Sequence, residues 1–333
     1  MAESSAVERA ARVLADGHLV AFPTETVYGL GADGLNPAAI ARIFQAKGRP
    51  ADHPLILHVA DVAHARALAR EWPSVAEQLA ATFWPGPLTF ILKRAPHVPE
   101  AVTGGQDTVG VRMPAHPIAR SLITAFAAIG SGVVAAPSAN RFGSISPTRA
   151  RDVARSLAGR WGEHDMILDG GDCSVGVEST IVDLSLAAPR ILRPGGVGRD
   201  AIAQALGSPL EDSDAPAPRV SGALESHYAP QATTMLVSKA QLLVRLQQIR
   251  AQDRCASADV ACLVMDPVLR DQLATMPHVV VMPMSASADA YARELYARLH
   301  DADQKAVAVI LVEAPPTTMA WEAVNDRLKR ATA

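Results

Sequence analysis

Cysteine is scarce in this chain. Only Cys173, Cys255 and Cys262 occur, and no two of them stand in a CxxC spacing. Neither a disulfide framework nor a cysteine-held zinc site is therefore indicated. No apolar run reaches the roughly 20 residues that a bilayer-spanning helix needs. The first twenty residues carry Glu3 and Glu8 in an Ala-rich helical pattern in place of a signal-peptide core, so a cytoplasmic protein is expected. No glycine is followed by Lys-Ser or Lys-Thr, which removes a Walker-type phosphate loop, and any ATP must be held by other means. An excess of one charge is also missing. The formal net charge is -3, with 19 basic against 19 acidic residues up to Leu206 and the remaining 12 against 15 after it. A nucleic-acid contact would thus have to use a local patch. Lysine is rare too: five of the 31 basic residues are Lys, and Lys47 is the only one before Lys93.

What the chain does contain is ordinary core material, 49% hydrophobic with 20% charged over 333 residues, enough for two domains. The residues out of keeping with a plain folded domain gather between Phe22 and Val59. A helix over Ser5 to Asp16 and a strand over Leu19 to Phe22 lead into Pro23, Thr24, Glu25 and Thr26. Gly29, Gly31 and Gly34 then satisfy G-x-G-x-x-G, with Asp61 after the next strand, which invites a dinucleotide reading. In that fingerprint the glycines follow the strand directly, whereas here Pro23 to Tyr28 intervene. The glycines are therefore expected to form a turn that shapes a pocket. Asn36 as N-cap and Pro37 at the first position start a helix that Gly48 stops. Lys47 and Arg49 flank Gly48, where they serve either the helix dipole or a ligand. His58 interrupts an apolar strand, as a satisfied core group or as a contact.

Further along, Asp61 is expected to cap one helix, and Ser74 with Glu77 to form a capping box for another. The strand TVGVRM places Arg112 among apolar residues, where its charge needs a partner, either a ligand carboxylate or a buried Asp. After the strand Gly132 to Ala136 comes Pro137-Ser138-Ala139-Asn140, then Ser144 and Ser146-Pro147-Thr148. Such small hydroxyl and amide side chains suit a nucleotide and equally suit turns and caps. From Gly207 to Thr233 the periodicity lapses among Pro209, Pro216, Pro218 and Pro230, as in a linker. The last hundred residues alternate strand and helix, which predicts a small parallel α/β domain without a catalytic motif.

Taken together, PTETVYGLG, KGRP with PLILHV, TVGVRMP, APSAN with SPT, GVESTIVD, LRPGG and HYAP closely resemble the longer, two-domain YrdC-like threonylcarbamoyl-AMP synthases. The resemblance implies an α/β chain. Residues 1–206 would form a YrdC-like twisted-sheet catalytic domain with a large concave site, 207–233 a linker folding over it, and 234–333 a Rossmann-like domain. It implies that L-threonine, bicarbonate and ATP, with magnesium, give threonylcarbamoyl-adenylate and pyrophosphate. Partner proteins would then transfer the threonylcarbamoyl group to the tRNA adenosine beside the anticodon. Carried onto this chain, Thr26, His58, Arg112 and Ser179 resemble the threonine-binding set. Lys47, Arg49, Thr108, Ser138, Asn140, Ser146 and Arg193 resemble the ATP set, with a backbone contact from Ala136 and with Lys47 and Arg49 nearest the chemistry. Tyr228 resembles a linker residue that closes over the pocket, although Ser221 to Ser226 lacks the Pro-Gly-Met-like lead of that linker. The competing readings are a non-catalytic module for double-stranded RNA and carbamoyl transfer of the hydrogenase-maturation type. The second would need zinc-finger and acylphosphatase-like segments for which this chain has neither the cysteines nor the length.

Overall fold

The computed structural model describes residues 2–186, 188–210, 216–222, 228–251 and 259–333. Cys255, His227 and the linker stretches 211–215 and 223–227 lie outside the described residues. The chain divides into one unit of residues 1–142 with 146–223 and a second of 143–145 with 224–333.

In chain order the first unit runs α1 (Ala2–Ala15), β1 (Val20–Phe22), β2 (Gly29–Asp33), α2 (Pro37–Lys47), β3 (Ile56–His58), α3 (Val62–Ala67), α4 (Ser74–Phe83), β4 (Leu88–Lys93), α5 (Glu100–Thr103), β5 (Thr108–Arg112), α6 (Pro117–Ala127), β6 (Val134–Ala135), α7 (Ala150–Ser156), β7 (Met166–Ile167), β8 (Thr180–Asp183), β9 (Arg190–Arg193) and α8 (Arg199–Leu206). The strands form one mixed sheet in the order β7-β1-β2-β6-β3-β5-β4-β8-β9. Because side chains alternate across a strand, the sheet has two faces of different fate. Leu30, Leu57, Phe90, Val111 and Val182 point into the larger core, with Ile40 and Ile43 of α2, Leu79 of α4 and Ile202 of α8. On the other face, Val20, Phe22 and Val134 are covered by α1 and α6 through Leu14, Leu122 and Phe126. Beyond β6 this second face carries Ile56, His58, Gly110 and Arg112, with Ile56 in register with Gly110 and His58 with Arg112. That uncovered half is where the polar residues collect.

Local signals explain several of these elements. The Asn36 side chain accepts from the Ala38 and Ala39 amides, and Gly48 ends α2 in the left-handed conformation at φ 63°, which a side chain would resist. Two expectations are corrected. Gly29 to Asp33 is a strand pairing antiparallel with β1, not a turn, and Asn36, not one of the glycines, opens the helix that follows it. A Cβ on Gly31 would come within 2.9 Å of both Phe22 and Val134, and one on Gly34 within 2.7 Å of Leu57. These glycines are thus required by close packing. The Ser74 to Glu77 capping box does not form: α4 has no side-chain cap, and Glu77 instead accepts from Arg66 and Trp72.

The expected linker is partly an element of the first unit. The Pro216 carbonyl accepts from Arg190, the Arg219 amide donates to Gln106, and Val220 packs with Ile91 and Ile181, against Ile56 and Leu192. Residues 216–222 therefore lie across the second face, within the stretch 207–233 expected to be a linker folding over the site.

The second unit runs β10 (Thr233–Val237), α9 (Lys239–Arg250), β11 (Val260–Val264), α10 (Pro267–Ala274), β12 (Val279–Pro283), α11 (Ala288–Gln304), β13 (Val309–Glu313) and α12 (Glu322–Ala331). Its sheet, in the order β10-β13-β11-β12, is parallel at every pairing, as the strand and helix alternation predicts. Leu242, Leu246 and Leu269 of α9 and α10 pack on Val260, Cys262 and Leu311. Burial pushes the Cys262 thiol up to about 12, so it behaves as an inert apolar side chain.

Asp183 and Arg190 close the β8–β9 hairpin with two hydrogen bonds of 3.1 and 3.0 Å, both groups being buried. Arg190→Ala would leave a carboxylate buried without its cation, so the urea unfolding of this unit should lose about 3 kcal/mol. A loss below about 1 kcal/mol would assign the pair to the weak surface class.

Candidate active site

Arg112 ends β5 at 4% exposure and has partners on three sides. Its Nε donates to the Gly86 carbonyl at 3.2 Å, Nη1 to Thr26 Oγ1 at 2.9 Å and Nη2 to Glu25 Oε1 at 2.6 Å. The partner is thus the Glu25 carboxylate rather than a buried Asp, which sequence reasoning missed. A signal was present: Glu25 is an acid inside the same polar run as Thr24 and Thr26, ahead of a buried guanidinium without an explanation. Burial alone would raise the Glu25 carboxyl, but the Arg112 charge and hydrogen bonds, including the Ala115 amide, hold it below its ordinary value.

The Thr26 hydroxyl belongs to a directed chain. Thr24 Oγ1 donates its one proton to the Val27 carbonyl at 2.6 Å, so Thr26 Oγ1 donates to Thr24 Oγ1 at 2.8 Å and accepts from Arg112. His58 stands beside Arg112 in the sheet register. Its Nδ1 must donate to the Ile56 carbonyl at 3.2 Å, since a carbonyl only accepts, and the neutral ring keeps Nε2 as an acceptor. Burial first, then the Arg112 charge, brings the imidazole pKa down to about 3. His58 is therefore neutral at physiological pH and a poor proton acceptor there.

Ser179, just before β8, belongs to a second cluster. Its Oγ lies 2.8 Å from Thr89 Oγ1, and its carbonyl and Oγ accept from Arg193 Nη2 at 2.9 and 3.2 Å. Arg193 at the end of β9 also donates from Nη1 to the Ser221 carbonyl at 2.7 Å. Arg49 donates from Nη2 to the Pro54 carbonyl at 2.9 Å and to Ser221 Oγ at 3.4 Å, and lies over the Phe142 ring. Two buried guanidiniums thus converge on the polar atoms of Ser221. Neither Ser221 nor Glu25 was foreseen as a site residue.

Lys47 is placed differently from the helix-end reading. Its ammonium donates to the Ser138 carbonyl at 2.6 Å, the Asn140 carbonyl at 2.5 Å and Asn140 Oδ1 at 3.4 Å, so it ties α2 to the loop after β6. Three oxygens match the three protons of an ammonium. Burial, with Arg49 adding repulsion, pushes its pKa well down, opposing that match. Asn140 Nδ2 donates onward to the Arg141 carbonyl, and Ser146 Oγ donates to Glu178 Oε1 at 2.6 Å, both residues being buried. Ala136 has its amide engaged by the Ile56 carbonyl at 3.0 Å, so a backbone contact from it would have to use its carbonyl. Thr108 begins β5, on the same face as Arg112 and roughly 13 Å away at the usual strand rise. Tyr228 is the exception: it lies in the second unit at φ 64°, its ring 5.7 Å from that of Tyr296 and beneath the Arg327 guanidinium.

Among the described residues no cluster of three or more His, Cys, Asp or Glu is placed to hold a metal ion, and no described helix is long and apolar enough to cross a membrane. The cluster can bind an anionic group at Arg112 and a second anion at Arg49 and Arg193, in a setting largely shielded from water.

Comparison with known proteins adds the following. Residues 12–195 match the Sua5/YciO/YrdC family, described as "Telomere recombination", and residues 197–333 match the family described as "Threonylcarbamoyl-AMP synthase, C-terminal domain". The chain is 39% identical to a threonylcarbamoyl-AMP synthase of Pyrococcus abyssi, over 97% of this chain and 93% of that one. It is 37% identical to the protein of the same name from Bacillus subtilis, over 98% and 92%. The solved structure of P. abyssi Sua5 complexed with L-threonine superposes with a TM-score of 0.85 at 38% identity, covering 98% of this chain and 94% of that one.

The Glu25–Arg112 pair should be visible in a double-mutant cycle. Glu25→Gln and Arg112→Met, alone and combined, should give a coupling energy of at least about 1 kcal/mol in unfolding, and additive effects would show the pair to be energetically idle. The His58 ring should show no titration above pH 5 by NMR, against an ordinary value near 6.5. Between about pH 6.5 and 3 the unfolded chain takes up a proton that the folded chain refuses. Stability from this group is therefore complete above that window and falls with acidification, by up to about 1.4 kcal/mol per pH unit, a slope that His58→Gln should reduce.

Proposed function

The chain belongs to the two-domain threonylcarbamoyl-AMP synthase family, and from that premise we propose how its own residues carry the reaction. It is a threonylcarbamoyl-AMP synthase: L-threonine, bicarbonate and ATP yield threonylcarbamoyl-adenylate, pyrophosphate and water. The product is an acyl-phosphate anhydride, labile enough that a tRNA-modifying acyl transfer must consume it.

The observation that carries the residue assignment is the pair of buried cationic clusters, Arg112 held by Glu25 and Thr26, and Arg49 with Arg193 meeting at Ser221. The threonine carboxylate is assigned to Arg112. Three of its five N–H groups are engaged by Gly86, Thr26 and Glu25, which leaves two for a substrate oxygen. Glu25 keeps the guanidinium from turning while its charge offsets the cost of burying it. Thr26, Ser179 and His58 are assigned to the same end, for the threonine hydroxyl and amine. Because His58 is held neutral and weakly basic, its role is orientation rather than proton removal.

The triphosphate is assigned to Arg49 and Arg193. In the described conformation the Ser221 carbonyl and hydroxyl accept from these guanidiniums, so phosphate oxygens would replace Ser221 and lift Val220 from Ile91 and Ile181. Lys47 acts by holding the 138–140 loop, and a phosphate reaching its ammonium has to displace one of three oxygens. Ser138, Asn140 and Ser146 are assigned to the nucleotide along that loop, with Thr108 at the far end of β5. Magnesium enters on the phosphates as part of the ATP substrate, where it spreads charge over the oxygens. The carbamate formed from threonine and bicarbonate then meets the α-phosphate. The protein supplies alignment and charge stabilisation for two approaching anions, with no covalent intermediate required.

Pyrophosphate release should require ATP, threonine and bicarbonate together, and release that persists when threonine or bicarbonate is omitted would overturn the assignment. Arg112→Ala should raise the KM for threonine about 10-fold or more with that for ATP little changed, and Arg193→Ala should do the reverse. Equal effects on both substrates would dissolve the two-end arrangement.

A further inference from the structure

A second cleft of about 790 Å³ lies in the first unit, lined by Arg42 and Ala46 of α2, Arg141, Arg160, Trp161 and Asp165, among others. None of these is assigned to a substrate above, and the volume suits a small ligand.

Its charges are not equivalent. Arg42 is neutralised in place: Nη2 donates to Asp165 Oδ1 at 2.8 Å and Nη1 meets His18 Nδ1 at 2.7 Å. Asp165 is saturated in turn, accepting from the Leu19 amide at 2.8 Å and the Gly162 amide at 2.7 Å. Among the described residues Arg141 and Arg160 have no carboxylate partner. Among the described residues Arg141 Nε donates only to the Ser156 carbonyl at 3.0 Å, and Arg160 Nη1 only to the Ala46 carbonyl at 3.4 Å. Both side chains are exposed. The surrounding segment is itself unbalanced, since residues 141–160 contain five Arg and one acid, Asp152, in a chain of net charge -3. Two planar, always-charged donors at the mouth of a cleft with an indole wall match a phosphate group, with room for an aromatic base.

The position also matters. Ala46 precedes Lys47, and Arg141 follows Asn140, whose carbonyl accepts from the Lys47 ammonium. A ligand that draws Arg160 from Ala46 and Arg141 from Ser156 would act on both strands of the Lys47 tie.

We propose that this cleft is a second binding site, for a small phosphate-bearing molecule of the pyrophosphate or nucleoside mono- or diphosphate class, and that occupancy tunes the Lys47 tie. Binding itself stands apart from the reaction assigned above; only the turnover arm of the test rests on it.

The test uses the full chain carrying Arg49→Ala and Arg193→Ala, which weakens the other phosphate site. Titration calorimetry with pyrophosphate, AMP and ADP should show one saturable site per chain for at least one of them. Adding Arg141→Glu and Arg160→Glu should weaken that binding at least ~10-fold, while Arg155→Glu, on α7 and outside the cleft, should leave it unchanged; circular dichroism reports folding of each variant. Pyrophosphate binding as tightly as ADP makes the phosphate the whole epitope, whereas tighter ADP adds the indole wall. In otherwise wild-type chain the two cleft substitutions should remove any pyrophosphate inhibition that is non-competitive with ATP. Absence of binding by all three probes, binding unaffected by Arg141→Glu and Arg160→Glu, or binding of duplex RNA alone would overturn the site. Binding lost without any change in inhibition would overturn its regulatory role and retain the site.

Discussion

A guanidinium placed in the middle of a sheet has to be neutralised where it stands, because its desolvation would otherwise exceed what the fold can spare. Arg112 imposes that constraint here, and much of the first unit is arranged around it. The polar run after β1 brings Glu25 and Thr26 to its terminal nitrogens, and the turn before β4 brings the Gly86 carbonyl to Nε. Glu25 pins the Ala115 amide in turn, fixing the exit of β5. Burial, with the same charge adding to it, keeps His58 neutral one strand away. Binding chemistry and folding constraint are thus one network, and a change to it acts on both.

The second constraint is the unequal covering of the sheet. One face is sealed by helices along its length, and the other only as far as β6 by α1 and α6. The open half would expose Ile56, Ile91 and Ile181, so it attracts whatever apolar residue the chain can reach, and Val220 fills that place. Arg49 and Arg193 bond the neighbouring Ser221 for the same reason that they would bond a phosphate, since buried guanidiniums demand oxygen acceptors. A segment that satisfies the site in the absence of ligand is also one that a stronger acceptor can displace. In the cleft around Arg141 and Arg160 the internal acceptors are the backbone carbonyls of Ser156 and Ala46.

Legibility in the sequence followed the range of the interaction. The Asn36 cap, the Pro37 start and the Gly48 stop involve neighbours within a few residues, and the structure has each of them. The alternation of the last hundred residues gave a parallel sheet because strand and helix periods are local properties. The glycines at 29, 31 and 34 were read as a turn because their reason lies in Phe22, Val134 and Leu57, which only packing brings close. Glu77 was read as a cap residue, but Arg66 and Trp72 compete for its carboxylate in three dimensions. Residues 216–222 read as linker because a strap held by distant side chains has no period of its own.

The motif series from Pro23 to Pro230 by itself determined the kind of protein and the two-part α/β organisation, because residue types in a fixed order are a linear property. It determined equally that Arg112 required a partner, since a charge in an apolar strand is costly wherever it folds. Tertiary structure alone decided that the partner is Glu25, that Lys47 ties a loop by its carbonyls, and that Ser221 meets two guanidiniums. Each joins residues separated by 87, 91 or 93, and 172 or 28 positions respectively. Hydrogen bonds and ion pairs depend on distance in space, and the sheet order that creates those distances is a property of the folded whole.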